Sequence, residues 1–443
     1  MCRFLVSLNA SPLHQDFVSH GFITQVYKGK SDILLSHLIL DPAHSILTQS
    51  YDSRLRLDRR RPHNGDGFGV GYYTAPALGP EPCIFTSTIP AWNCINLERL
   101  ASKTVSKLVF AHVRATTEGN LSDSNCHPFR CGSLMWMHNG GIGSWKQVKR
   151  RLAASLGDEW FLGVQGSTDS EWAFALFLDS LHKAGHDPSG DPGEGGFGHT
   201  VLRKAILKTI ERINAFIAEI PAHLKGADED ARSLLNFAVA DGHSVVCTRY
   251  VSSRTDEAAS LFFSSGTSWR EQKKATAPRH TSHHHKNNIN IDDDSNNNGD
   301  RGDKGDYQME RRDKGADIVL VASEPLTFER DNWVTVPTNS TLTIHKQTVM
   351  IHPILDDFYN PSPSYLRSSQ FAETQGQIST GPASALGAEA KAPVARTGAL
   401  GEGFGGAATP ASESGAVTPS LGLATEELEA LNRSRKRDPH SQP

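Results

Sequence analysis

Short apolar segments of strand length occur in two groups along this chain, and helical segments lie between the groups. The first group includes Lys107–Arg114 and Ser133–His138, which are rich in β-branched, aromatic and other apolar residues. The second group begins with a hairpin pattern over Asn236–Val251, with Asp241 and Gly242 at its turn. Further strand candidates are Ile318–Ala322, Trp333–Val336 and Leu342–Ile351. Strands grouped before and after paired helices predict an α+β fold rather than a parallel βαβ sheet.

Two helices are predicted between the strand groups. Thr168 and Glu171 have the spacing of a capping box, so the first helix is expected to begin beside Asp169. The second helix is longer and carries its apolar residues along one face. These residues are Leu202, Ile206, Ile210, Ile213, Ile217 and Ile220.

Composition excludes several classes of function. The 443 residues carry a formal net charge of −4, so there is no basic field for nucleic acid. No apolar run approaches the roughly 18 residues of a membrane span, and no signal peptide is evident. Six scattered cysteines do not form a disulfide framework. We therefore expect a cytoplasmic protein with reduced thiols.

Two segments are predicted to be disordered. Residues 272–317 are polar, rich in Asn and Asp and almost free of aliphatic side chains, so they bury too little to offset their ordering entropy. They interrupt an apparent strand pair and are interpreted as a hairpin loop. Residues 368–443 are rich in Gly, Ala, Pro and Ser. One domain is thus expected over residues 2–365.

Cys2 is the first residue that could carry chemistry. Removal of Met1 would expose an α-amine beside the thiol. A thiol with a pKa of about 8.5 is a weak nucleophile until a base takes its proton, and an α-amine with a pKa of about 7.7–8.0 can be that base. The alternative is that a cysteine at this position is accidental.

Asn139 and Gly140 follow the strand pattern of Ser133–His138. An Asn side-chain amide and a Gly backbone N–H could stabilise the oxyanion of a tetrahedral acyl intermediate. The alternative is an ordinary turn, because Asn-Gly is a common turn dipeptide.

Two charged residues could bind the charges of a substrate. Arg114 ends a buried strand, where its guanidinium needs a carboxylate; that carboxylate could belong to a substrate or to a structural Asp or Glu. Asp169 could bind an ammonium group, or it could cap the helix that begins there.

Three other polar segments are considered as phosphate-binding or metal-binding sites. The Gly-rich segment Asn64–Gly69 matches no phosphate loop and is expected to form a tight turn beside a pocket. Cys126, His127 and Cys131 lack a companion pair at zinc spacing, and His283–His285 fall in the polar segment. No metal site and no cofactor are therefore predicted.

Six motifs, taken in order, resemble the type-II glutamine amidotransferases. They are MCRF (Met1–Phe4), NGDGFGVGYY (Asn64–Tyr73), AHVRATT (Ala111–Thr117), NCHPF (Asn125–Phe129), MHNGGI (Met137–Ile142) and GSTDSE (Gly166–Glu171). Segments such as Pro42–Pro62 further resemble the amidotransferase-like subunits of fungal glutathione-degradation complexes.

The resemblance implies a four-layer αββα sandwich of the N-terminal-nucleophile type. It also implies roles for individual residues: Cys2 as nucleophile with its own α-amine as base, and Asn139 and Gly140 as the oxyanion hole. Arg114 would hold the α-carboxylate and Asp169 the α-ammonium of a γ-glutamyl group. Thr117 matches a substrate-side threonine, although the residues around it depart from the family pattern.

Three functions remain open. The first is hydrolysis of the γ-glutamyl bond of glutathione, which the resemblance implies would need a metallopeptidase-like partner subunit. The second is a glutaminase subunit that passes ammonia to a separate synthase. The third is a non-catalytic regulatory subunit on the same fold. Residues 8–27, directly after the nucleophile's strand, are an apparent insertion relative to similar proteins.

Overall fold

The computed structural model describes residues 23–52, 64–115, 120–224, 230–271, 306–311, 316–327, 332–360, 365–375 and 377. Its strands are β1 (Ile23–Leu34), β2 (Phe68–Tyr72), β3 (Cys83–Ser87), β4 (Val105–Val113), β5 (Phe129–Cys131), β6 (Leu134–Gly141), β7 (Leu234–Ala240), β8 (Ser244–Arg249), β9 (Phe262–Gly266), β10 (Ser268–Glu271), β11 (Tyr307–Glu310), β12 (Ile318–Ala322), β13 (Val334–Thr335), β14 (Ser340–His345) and β15 (Thr348–Pro353). Its α-helices are α1 (Ser36–Ile39), α2 (Ile46–Tyr51), α3 (Ile95–Ala101), α4 (Trp145–Ser155), α5 (Asp158–Leu162), α6 (Asp169–Lys183), α7 (His199–Ala218) and α8 (Gln370–Thr374).

The strands form two large antiparallel sheets. The first sheet has the order β13-β9-β12-β1-β4-β2-β3, and the second has the order β15-β14-β8-β7-β6-β5. In the first sheet β4 lies between β1 and β2, so that Val113 pairs with Ile23 on one side and with Phe68 on the other. In the second sheet β6 pairs with β7 from Met135 to Gly141.

Three apolar cores divide the protein into layers. One core lies between the sheets and joins Val26 and Phe110 of the first sheet to Met135 and Met137 of the second. The opposite face of the first sheet packs against α1, α2 and α3, and that of the second sheet packs against α4, α6 and α7. The order helices, sheet, sheet, helices confirms the predicted four-layer αββα sandwich, because each sheet must bury both of its faces.

The two predicted helices are α6 and α7. Thr168 is the N-cap residue of α6, and its Oγ1 accepts a hydrogen bond from the backbone N–H of Glu171. The Glu171 carboxylate does not complete the predicted capping box; it accepts instead from the N–H groups of Gln165 and Gly166. The residues predicted to form the apolar face of the second helix lie in α7 and just beyond it, and Leu202, Ile206, Ile210 and Ile213 are buried.

Three predictions need correction. The predicted disordered segment 272–317 contains β11, which pairs with β10, and Tyr307 of β11 is buried against Trp269. The strand candidate Leu342–Ile351 is a hairpin of β14 and β15. The segment expected to be disordered from residue 368 begins with α8, whose Phe371 is buried.

The helices in the described part of the chain include none that combines the length and the apolar character needed to cross a membrane.

Candidate active site

Arg114 lies directly after β4 and is almost fully buried, with 2% of its surface exposed. Neither of its Nη atoms has a hydrogen-bond partner among the described residues. Burial lowers the pKa of Arg114, while the Cys126 thiol and the Asp66 carboxylate act in the opposite direction. A guanidinium stays protonated in proteins, so the site contains a buried cation whose two Nη groups have no partner among the described residues and can donate to an anion.

The loop before β2 fixes the backbone of Arg114. The N–H of Arg114 donates to the carbonyl of Gly67 at 2.9 Å, and the N–H of Asp66 donates to the carbonyl of Arg114 at 3.2 Å. Gly67 has φ +105°, and a Cβ there would lie 2.8 Å from the Cys126 Sγ. The Gly-rich segment is therefore a tight loop beside Arg114 as far as Gly67, whereas Phe68 and Gly69, which were predicted to belong to the turn, lie in β2.

Asn139 and Gly140 do not form the turn that the sequence suggested as an alternative. Strand β6 continues through both residues, which pair with Asn236 and Leu235 of β7. Gly140 has φ +145°, and a Cβ at this position would lie 1.8 Å from the carbonyl oxygen of Leu234. Only glycine fits this approach of two backbones.

The side chain of Asn139 is buried, and its Oδ1 has no hydrogen-bond partner in the part of the chain that the structure describes. Buried amides in native proteins are almost always hydrogen-bonded. The unpartnered Oδ1 is an acceptor and can bind a donor that enters the site, whereas an oxyanion would need the Nδ2 donor of the same amide.

Asp169 is the first residue of α6, and Thr168, not Asp169, is the cap. The Asp169 Oδ2 accepts a hydrogen bond from the N–H of Ile142 at 2.8 Å, which connects the end of β6 to the start of α6. The other oxygen, Oδ1, lies 3.3 Å from the Ser170 hydroxyl. The capping alternative is thereby wrong, and Asp169 retains acceptor capacity for an ammonium group.

His138 links the same two elements. Its Nε2 lies 3.0 Å from the carbonyl oxygen of Leu234, which can only accept, so Nε2 carries the proton. Its Nδ1 then accepts from the Ser170 hydroxyl at 3.0 Å. Burial lowers the pKa of His138. The neutral ring therefore positions Ser170 beside Asp169 and adds no charge.

Two further histidines, His112 and His127, lie close enough to Arg114 for its charge to lower their pKa values. Nε2 of His112 and Nδ1 of His127 are 2.9 Å apart, and both rings are buried. Burial lowers the pKa of His112 to about 3, and Arg114 and His138 act in the same direction. Burial also places the pKa of His127 well below its ordinary value. Both rings are neutral near pH 7, so they do not compete with Arg114 for an anion.

Because side chains alternate between the two faces of a strand, the side chains of Arg114 and Asn139 both face the space between the two sheets. Side chains alternate faces along a strand, and Phe110 and Met137 both lie in the core between the sheets. Arg114 is four residues beyond Phe110 and Asn139 is two beyond Met137, so both side chains point between the sheets. A ligand at this edge of the sandwich would contact groups from both sheets.

A family model described as "Glutamine amidotransferases class-II" matches residues 43–212. The chain is 51% identical over 362 residues to the probable glutamine amidotransferase DUG3 of Saccharomyces cerevisiae, an alignment that covers 81% of this chain and 91% of the yeast protein. This chain belongs to the class-II glutamine amidotransferases. It is therefore an enzyme of the γ-glutamyl amidohydrolase type.

Other relatives and solved structures are less similar. A γ-glutamyl-hercynylcysteine sulfoxide hydrolase of Mycobacterium tuberculosis is 32% identical over 116 residues, which cover 25% of this chain and 46% of that protein. Among solved structures, a glutamine amidotransferase class-II domain protein of Silicibacter pomeroyi is 20% identical, covers 75% of this chain and 100% of its own, and has a TM-score of 0.42.

Two residues predicted for this amidotransferase site, Cys2 and Thr117, lie outside the described residues. The structure places the other four at the ends of elements: Arg114 lies directly after β4, Asn139 and Gly140 lie at the end of β6, and Asp169 is the first residue of α6. Within the described ranges there is no group of three His, Cys, Asp or Glu side chains arranged to hold a metal ion.

Asn125 connects two loops beside the candidate site, and residue chemistry alone did not single it out. Its Oδ1 accepts from the N–H of Ser167 at 2.8 Å, and its Nδ2 donates to the carbonyl of Asn120. These bonds hold the loop that leads into Asp169. The two segments are 42 residues apart, so no local spacing could show the contact; the NCHPF motif was its only signal.

Proposed function

We propose that this chain hydrolyses the γ-glutamyl amide bond of glutathione, giving glutamate and cysteinylglycine. Arg114 binds the α-carboxylate of the γ-glutamyl group, and Asp169 binds its α-ammonium group. The observation that carries this proposal is the buried guanidinium of Arg114, whose Nη atoms have no partner among the described residues. A protein retains such a group when a ligand supplies the counter-charge, because an unpaired buried charge is costly.

In the proposed reaction Cys2 is the nucleophile. Its α-amine takes the thiol proton, and the sulfur attacks the γ-carbonyl carbon. The Asn139 amide and the Gly140 N–H donate to the oxyanion that forms. The C–N bond then breaks, the α-ammonium returns its proton to the leaving amine, and a γ-glutamyl thioester remains on Cys2. Water hydrolyses the thioester, which releases glutamate and regenerates the thiol.

The proposed leaving group is a cysteine-containing amine rather than ammonia. The resemblance of segments such as Pro42–Pro62 to amidotransferase-like subunits of fungal glutathione-degradation complexes supports a role in glutathione degradation. The mycobacterial relatives are named as hydrolases of a γ-glutamyl compound of a cysteine derivative. On this proposal the enzyme acts in the cytoplasm as a subunit of a complex, with a metallopeptidase-like partner.

A glutaminase subunit that delivers ammonia would use the same γ-glutamyl groups and differ only in its leaving group. A non-catalytic subunit would not need a buried cation and a buried amide oxygen that lack partners among the described residues, and each destabilises the protein when the site is empty. The retained polar groups therefore favour an enzyme over a regulatory subunit.

A substrate panel tests the proposal. Glutamine, glutathione and γ-glutamyl-p-nitroanilide are incubated with the purified chain, with and without the metallopeptidase-like partner, and free glutamate is measured. We expect release from glutathione with the partner present. Hydrolysis of glutamine with no release from glutathione, with or without the partner, would establish the glutaminase alternative instead.

A further inference from the structure

The loop Ile142–Ser144 joins β6 to α4 and lies beside Asp169. The N–H of Ile142 donates to the Oδ2 of Asp169 at 2.8 Å. Ser144, the N-cap residue of α4, has φ +48° and ψ +40°, a left-handed conformation that is uncommon for a residue with a side chain. Such a conformation persists only where the surrounding structure holds it. The contacts on the other side of this loop therefore bear on the position of the Asp169 carboxylate.

The segment directly before β7 holds this loop. The carbonyl of Asp230 accepts a hydrogen bond from the N–H of Ser144 at 3.2 Å, and the hydroxyl of Ser233 accepts from the N–H of Gly143 at 2.9 Å. A Cβ at Gly143 would lie 2.3 Å from the carbonyl oxygen of Ala231. The loop and the segment thus pack backbone against backbone, so a shift of the segment must be followed by the loop.

Arg232 fixes the geometry of this segment. Its Nε and Nη2 donate to the two carboxylate oxygens of Asp230 at 2.9 Å and 2.6 Å, and its Nη1 donates to the Oδ2 of Asp256 at 3.0 Å. The Arg232 side chain is 40% exposed, so these ion pairs contribute little to the free energy of unfolding. A bidentate contact between a guanidinium and a carboxylate nevertheless defines an orientation. Geometry, rather than stability, is what Arg232 supplies here.

The segment that carries α8 packs against the same guanidinium. The Cζ of Arg232 lies 3.9 Å from the centre of the Phe371 ring, and Phe371 belongs to one buried apolar cluster with Leu234 of β7. Ser368 forms a parallel bridge with Asp256, which connects this segment to the second carboxylate that Arg232 binds. The guanidinium therefore has carboxylates at its edge and an aromatic ring on its face, and both restrict its orientation.

We propose that Arg232 is a positioning residue of the amidotransferase site. It acts through the loop Ile142–Ser144 on the Asp169 carboxylate, and the segment that carries α8 keeps it in place. The inference rests on the proposed function, in which Asp169 binds the α-ammonium of the γ-glutamyl group. Arg232 itself does not bind substrate, because Asp230 and Asp256 occupy its guanidinium. Loss of Arg232 should therefore weaken recognition of the ammonium group and leave recognition of the rest of the substrate unchanged.

Two substrates that differ only in the ammonium group test this inference. γ-Glutamyl-p-nitroanilide carries the α-ammonium, whereas glutaryl-p-nitroanilide has the same carboxylate and the same anilide without it. The ratio of kcat/KM for these two substrates is measured on the full chain with the metallopeptidase-like partner present. This ratio does not depend on the fraction of folded protein, so a poorly folding variant still gives a result. We expect Arg232→Met to lower the ratio about 2- to 30-fold, mainly through a higher KM for the γ-glutamyl substrate.

Three further variants serve as controls. Arg254→Met removes a nearby arginine that donates to the carbonyl of Asp357 and makes no contact with the segment before β7 among its printed hydrogen bonds; it should keep the wild-type ratio. Phe371→Leu keeps an apolar side chain in the cluster and removes the ring under the guanidinium, so it should lower the ratio in the same direction as Arg232→Met. Combined with Asp169→Asn, Arg232→Met should cause no further decrease, because residues that act through one contact are not additive.

The single variant Asp169→Asn separates failure of this inference from failure of the proposed function. If Asp169→Asn lowers the ratio and Arg232→Met does not, the positioning role is overturned and the proposed function stands. Equal losses of Arg232→Met on both substrates also overturn the positioning role, because they show a structural residue. If Asp169→Asn leaves the ratio unchanged, the proposed binding of the ammonium group is overturned, and the inference about Arg232 with it.

Discussion

Replacement of Arg114 by methionine tests the proposed binding mode most directly. The two free Nη atoms can donate two charge-assisted hydrogen bonds to an α-carboxylate. Each such bond contributes about 1.5–3 kcal/mol. Losing both should therefore lower kcat/KM by about 10²- to 10⁴-fold, since 1.4 kcal/mol corresponds to a factor of ten. The assay is hydrolysis of γ-glutamyl-p-nitroanilide, performed in parallel on the carboxylate-free analogue γ-aminobutyryl-p-nitroanilide.

The same variant should make the free protein more stable. Arg114 is buried, and no described residue supplies a hydrogen-bonded counter-charge to its Nη atoms, so its removal relieves a desolvation penalty. We expect a higher Tm for Arg114→Met and equal, low activity of wild type and variant on the carboxylate-free analogue. Arg114→Lys is the matched control, because it keeps the charge and loses the bidentate geometry. A lower Tm together with equal losses on both substrates would refute the reasoning and make Arg114 a structural residue.

Three further predictions concern single residues. Cys2→Ala should abolish turnover without a change in Tm, because the thiol is proposed to act in chemistry and not in packing; activity within tenfold of wild type would exclude the role. Asn139→Ala should lower kcat by about 10²- to 10³-fold with little change in KM, as expected for an oxyanion donor; an effect on KM alone would contradict it. Burial lowers the pKa of His112 in the folded protein to about 3. In the unfolded chain this ring takes up a proton as the pH falls below about 6.5, whereas in the folded chain it does so only near pH 3. His112 should therefore lower the free energy of unfolding as the pH falls below about 6.5. Urea unfolding between pH 7 and pH 4 measures this loss, and His112→Gln should reduce its slope; an unchanged slope would show that His112 is not responsible.

Local patterns predicted the layers of the fold well and its connections less well. The apolar face of α7 and the hairpin of β7 and β8 follow directly from periodicity. The turn between β14 and β15 was not predicted, because Lys346 and Gln347 adopt positive φ values there in the absence of any glycine or asparagine. Strand β11 was missed because its neighbours in sequence are polar, and its burial against Trp269 depends on a partner far along the chain.

In the candidate site, too, some features depend on contacts between residues that are far apart in the sequence. Residue chemistry alone could not choose between a turn and an oxyanion hole at Asn139 and Gly140, because Asn-Gly suits both. What decides against the turn is the pairing with β7, 95 residues further along the chain. Likewise, the burial of Arg114 without a partner depends on three strands that meet only in the fold. The roles of these residues, and of Cys2 and Thr117, stay predictions.

The distance between the two sheets determines how long a substrate must be to reach both halves of the proposed site. In the proposed binding mode the α-carboxylate is held by Arg114 of the first sheet, while the carbonyl to be attacked is held by Asn139 of the second. The separation between these groups is therefore fixed by the apolar core between the sheets, whose side chains pack without slack. Asparagine has one methylene fewer than glutamine and would not reach both groups at once. The packing of the core between the sheets would thus make the enzyme selective for γ-amides over β-amides, independently of the amine that leaves.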